Sequence, residues 1–155
     1  MEITPSEIEK ILALLAETPH RIAAASEGIE NAQLHWRSDE KSWSANDILA
    51  HLRACMDVWG KSVGRMLTEE NGTQTHISPR SWIRKTNYLA LGFRESLQEF
   101  SQQRTDFLHL LESLAFADWS RSAVIQGRQH TVFSQARRMA LHESEHCAQI
   151  ETILK

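Results

Sequence analysis

Apolar residues recur along most of this chain every third or fourth position, the spacing that gathers one face of an α-helix. The first such run opens at "ITPSEI". Thr4 is placed to cap the helix, Pro5 to take the first helical position and Glu7 to complete a capping box, with Ile3 and Ile8 as a hydrophobic staple. Ile8, Ile11, Leu12 and Leu15 follow at helical spacing. Thr18-Pro19 is expected to interrupt or kink this element before a stretch around 22–29 continues it. Residues 31–41 are polar and carry no strong period. "SWSANDILAHL" then opens a second long helix in the same manner: Ser44 caps, Asp47 returns the bond and Trp43 staples onto Ile48. Its apolar stripe is Ile48, Leu52, Met56, Trp59, Val63 and Met66, ending near "ENG".

Residues 71–86 read as a long loop. A third helix is expected from about Tyr88 to Leu114, with Leu89, Phe93, Leu97, Phe100, Phe107, Leu111 and Leu114 on its inner face. The connection 115–130 contains "VIQGRQH" and has room for a short extended piece. Thr131 is placed to cap a last helix that runs close to Lys155. Four long amphipathic helices without sustained period-two alternation predict an all-α fold, an antiparallel four-helix bundle, with residues 1–155 as a single domain.

Composition narrows the function without naming it. The chain has 155 residues, of which 41% are hydrophobic and 24% charged, and a net charge of −3. That is enough apolar sequence for one core, with no basic surplus to suggest nucleic acid or a membrane surface as partner. The opening "MEITPSEIEK" lacks a basic-then-apolar leader, no apolar run reaches membrane-span length, and two cysteines make no disulfide framework. A cytoplasmic, reducing setting is the expectation.

The chemistry concentrates near the end, in "ALHESEHCAQI". His142-Glu143-Ser144-Glu145-His146 matches the H-E-x-x-H pattern of zinc proteases, and two imidazoles four apart on a helix clamp a transition metal. A peptidase takes its third ligand from chain beyond the motif. The nine residues after His146 offer only Cys147 and Glu151 on the same helix, so the third ligand is expected upstream, which weighs against a peptidase. His51 is the best candidate. It lies toward the edge of the apolar half of the second helix, flanked by Val58 and Cys55, where a histidine needs partners for its ring nitrogens. His51, His142 and His146 would supply three neutral nitrogen donors and leave a position open for water or substrate, an arrangement that suits zinc, nickel or iron(II).

"WSANDILAHL" and "ALHESEHCAQI" resemble the two characteristic motifs of the DinB/YfiT-like superfamily: a tryptophan-serine helix start followed by a histidine, and a closing H-x-x-x-H-x-x-Q-I helix. The resemblance implies a four-helix bundle, often dimeric, holding a divalent metal on three histidines, by position His51, His142 and His146. It also implies a small-molecule substrate. Some relatives are thiol S-transferases or thiol-dependent isomerases that use a low-molecular-weight thiol, and others are described as metal-dependent hydrolases.

Two neighbouring groups leave alternatives open. Glu143 falls in the apolar arc of Val132, Ala136, Met139 and Ile150, whereas Glu145 falls outside it. Glu143 is therefore a general base for a metal-bound water, an acceptor that orients a ligating imidazole, or the partner of an inward Arg104. Cys55, one turn after His51, is either a fourth ligand that would close the site or a core cysteine; Cys147 reads as core. Trp43 and Trp59 read as staple and core. Asp57 and Lys61 read as an i,i+4 pair on the solvated face. His20, His35, His76 and His109 have no partner at ligand spacing, and His130 is a weak outside candidate. The leading function is a metal-dependent transferase or hydrolase acting on a small electrophile. The rival is a non-catalytic metal-binding or stress-response bundle.

Overall fold

The computed structural model describes residues 2–155. Four long helices carry the fold: α1 (Pro5–Ser26), α3 (Ala45–Thr68), α5 (Phe93–Glu112) and α6 (Val132–Ile153). Two short helices, α2 (Asn31–Leu34) and α4 (Pro79–Ile83), lie in the connections. α1 packs beside α5 and α6, and α3 also packs beside α5 and α6. Contacts along these seams give the directions. Leu15 meets Arg104 and Ser26 meets Arg94, so α1 and α5 are antiparallel; His51 meets His142 and Ser62 meets Gln135, so α3 and α6 are antiparallel. Arg53 meets Ser96 and Asp57 meets Gln103, so α3 and α5 run the same way. The four-helix bundle of the sequence reading thus has an up–down–down–up order, with the 69–92 connection returning along the bundle.

The caps form largely as the sequence indicates. Ser44 and Asp47 close a reciprocal box at the start of α3, and Thr131 caps α6. At α1 the box is half made: Thr4 Oγ1 accepts from the Glu7 amide, while the Glu7 carboxylate pairs with Lys10. Pro19 does not break α1, which runs through it without interruption. A proline has no N–H to give the carbonyl four residues back, and here Arg104 Nη1 donates to that orphaned carbonyl of Leu15 at 2.8 Å.

The expected third helix is shorter than its apolar pattern. A 3-10 turn (Tyr88–Ala90) comes first, Gly92 caps, and α5 starts only at Phe93. Leu89, expected inward, is 51% exposed. The cause lies on α3: Tyr88 donates its hydroxyl to Asp57 at 2.6 Å and its ring receives the guanidinium of Arg53, which draws this segment across α3 and away from the α5 axis. Asp57 is likewise not the surface partner of Lys61. It accepts from Trp82, Tyr88 and Gln103, fastening α4, the turn and α5 to α3.

Both long connections contribute strands. β1 (Gly72–Gln74) pairs parallel with β2 (Ser122–Ile125), which forms an antiparallel hairpin with β3 (Arg128–Thr131). Gln126 and Gly127 both take positive φ, the requirement of the two-residue hairpin turn. The core runs the length of the bundle, through Leu15 and Ile22 on α1, Leu49 and Val63 on α3, Phe100 on α5 and Ile150 on α6.

Candidate metal centre

His51 belongs to the second turn of α3, and His142 and His146 to successive turns of the antiparallel α6, so one seam brings the three rings together. Each offers a ring nitrogen, and the three atoms lie within 4.8 Å of one another. His146 Nε2 and His142 Nε2 are 3.1 Å apart, and His51 Nε2 is 3.4 Å from His142 Nε2. Tetrahedral zinc with bonds of about 2.0–2.1 Å would separate its nitrogen ligands by about 3.3 Å. Lone pairs converging at such distances repel unless a proton or cation lies between them. The donor set and its spacing therefore fit a divalent transition metal.

Electrostatics keep two of the rings ready to ligate. Burial, then the proximity of His146, holds His51 down to about 4. Burial, His146, His51 and Arg138 hold His142 down to about 4 as well. Both are neutral near pH 7, the state in which imidazole binds a metal. His146 is oriented from outside the cluster: its Nδ1 lies 2.6 Å from Gln149 Oε1, so the Nδ1 proton is donated to the amide and Nε2 turns inward. His142 differs, for its Nδ1 is buried without a partner. Instead its ring meets the Trp59 ring edge-on at 5.1 Å.

Two tryptophans wall the cluster. Trp59 is core, as read from the sequence, but it also touches His142. Trp43 is 40% exposed and lies over the histidines, 5.0 Å from the His51 ring and stacked at 6.3 Å on His146. The expected staple residue is thus a rim of the site. Gln149 stands in the motif quoted above with no role assigned; its position three residues after a ligand-type histidine was the available signal.

Glu143 faces elsewhere. Its side chain is fully buried, and its oxygens accept from both terminal nitrogens of Arg104 and from the Thr18 hydroxyl at 2.9 Å. Of the three sequence alternatives, this geometry selects the ion pair. None of its hydrogen bonds goes to an imidazole, so it does not orient a ligating ring. Cys55 Sγ approaches His51 Nε2 at 3.5 Å but is not within reach of all three rings, and burial pushes its thiol up to about 12. It packs as a core thiol. Cys147 is also buried and pushed up to about 12. His20, His35, His76, His109 and His130 lie outside the cluster.

The DinB superfamily model matches residues 14–150. This chain belongs to the DinB superfamily. Among solved structures, the DinB-like chain is similar to YfiT from Bacillus subtilis, with a TM-score of 0.84 and 19% identity over 98% of this chain and 88% of that one. YfiT is described as "a probable metal-dependent hydrolase with an unusual four-helix bundle topology". At that identity the likeness establishes the shared fold. No protein of curated function matches this DinB member. None of its described helices is long and apolar enough to cross a membrane.

Proposed function

We propose that the protein is a metal-dependent transferase or hydrolase that brings a thiol or water to a small electrophilic substrate. The observation that carries this reading is the convergence of three imidazoles, two of them held neutral, without a fourth protein ligand in the cluster among the described residues. His51, His142 and His146 would hold the cation, and Gln149 would fix the tautomer of His146. A divalent ion held there supplies a Lewis acid that lowers the pKa of a thiol or water at neutral pH. Trp59 closes the inner side of the cluster, and the partly exposed Trp43 leaves an approach from solvent. Membership in the superfamily and the likeness to YfiT support the same reading. A homodimer with this site in each subunit, in the cytoplasm, is part of the proposal.

Metal content by mass spectrometry is the test. Wild type should carry near-stoichiometric transition metal, and His51→Ala, His142→Ala and His146→Ala should each lose it; retention in all three would overturn the assignment. Chelator-sensitive turnover of a generic electrophile, with and without added thiol, then separates transfer from hydrolysis. The approach of Cys55 to His51 favours one competing reading, a closed structural site. Cobalt substitution decides it: a thiolate charge-transfer band that disappears in Cys55→Ser would replace the open site with the closed one.

A further inference from the structure

The groove between α3 and α6 holds a second constellation. Along α6, Arg138 stands one turn before His142 and two turns before His146, on the same face. Below the histidines this groove widens into a cavity of about 600 Å³ between α3, the small sheet and α6, within the size range of small-molecule sites. Lys61 and Arg65 line it from α3, Arg128 and His130 from β3, and Arg138 from α6, and no carboxylate lines it. The chain as a whole has a net charge of −3, so the surplus of cations here is local. Arg65 is paired with Glu69. Lys61, Arg128 and Arg138 have no carboxylate partner among the described residues.

The cavity is also preorganised. Arg138 is held 4.6 Å over the ring of Trp59, the ring whose edge meets His142. One tryptophan therefore separates the cationic cavity from the histidine cluster and touches both. The cavity floor is a buried polar set in which Ser62 donates to Gln74 and Gln135 donates to Ser62. Gln135 is 97% buried, being 3% exposed, and its Oε1 has no partner, so it can accept from a ligand hydroxyl or amide. Burial, Arg138 and Arg128 all hold His130 below its usual range, consistent with a positive potential in the cavity.

We propose that this cavity is an anion subsite, and that the small molecule carried to the histidines bears a carboxylate or phosphate group bound by Arg128, Arg138 and Lys61. Assigning the anion to the substrate rests on the metal-enzyme reading above; the binding itself does not. Guanidinium forks recognise carboxylate and phosphate alike through paired charge-assisted hydrogen bonds.

Isothermal titration with inorganic phosphate and, separately, with succinate tests the assignment, on the purified protein and after removal of metal by chelator. Saturable binding of at least one probe is expected in both preparations, with about tenfold weaker affinity in Arg138→Gln and in Arg128→Gln, as loss of a charge-assisted bond implies. Lys10→Gln, on the distant α1, should bind like wild type. The probe that saturates identifies the anion class, and saturation by both fits the shared chemistry. Both arginines are exposed, and circular dichroism of each variant checks that the fold survives. Binding that disappears on chelation would place the anion on the metal and overturn the subsite. So would absence of saturable binding, or affinities unchanged in both arginine variants. Metal content in the same samples keeps the two readings apart: anion binding with no metal would leave the subsite standing while the metal centre fell.

Discussion

His142 and Glu143 are adjacent on α6, yet they build opposite kinds of interior. Glu143 faces α1 and α5, where Arg104 and Thr18 satisfy its oxygens. His142 faces α3, where three rings crowd nitrogen against nitrogen and its own Nδ1 has no partner. Both are polar groups on one helix, Glu143 fully buried and His142 half-buried with its Nδ1 enclosed. The difference lies in what meets each side chain: both Glu143 oxygens accept hydrogen bonds, although Arg104 Nε is itself buried without a partner. Where a buried charge has every acceptor filled, the chain has completed a structural tie. Where imidazole nitrogens converge on one another, their spacing fits a cation between them. The groups that meet each side chain, a guanidinium on one face and two further imidazoles on the other, separate the two roles of "HE" in this helix.

The comparison breaks most visibly at Glu143. Glu143→Gln should cost about 3–5 kcal/mol in denaturant unfolding, because Arg104 is left as an uncompensated buried charge. Metal content should stay at the wild-type level under conditions where the variant is folded. Unchanged stability with loss of turnover would move Glu143 into the chemistry. A smaller effect is expected on the other face. Gln149→Ala should weaken metal affinity about 10–100-fold, through loss of the acceptor that orients His146, with little change in the stability of the metal-free protein. Competition with a fluorescent chelator measures it, and equal affinity would remove Gln149 from the site.

A further effect, confined to acid conditions, is a pH dependence. His51 and His142 titrate near 4 in the folded chain against a usual 6.5. Between those values the unfolded chain binds protons that the folded chain refuses, so stability of the metal-free protein should fall as pH drops from about 6.5 toward 4 and be insensitive to these two rings above that window. The melting temperature of His51→Gln should show a shallower slope across the same range. Parallel slopes would mean that the rings are not desolvated as described.

Much of this was legible in the sequence because both essential signals are periodic. The helical stripes placed α1, α3, α5 and α6, and the i,i+4 spacing with a histidine on the apolar arc of α3 brought His51, His142 and His146 together. What escaped depends on contacts between distant stretches. Asp57 looks solvated on its own helix, but its donors arrive from Trp82, Tyr88 and Gln103. The strands of three or four residues are too short for period two to register. Lys61 lies far along the chain from Arg128 and Arg138, and only the fold gathers them around one cavity. The order of the helices was equally hidden, since amphipathic stripes carry no direction.

The guanidinium of Arg104 has a wider consequence. From α5 it reaches the Leu15 carbonyl on α1, the sulfur of Met56 on α3 and the carboxylate of Glu143 on α6. Leucines and isoleucines would tolerate one rod sliding a turn past another. A fork that must meet a particular freed oxygen and a particular acid would not, because any slip strands a charge in oil. Arg104 thus keys α5 to three helices at one point, beside the ties that Asp57, Ser62 and Ser96 make along the other seams.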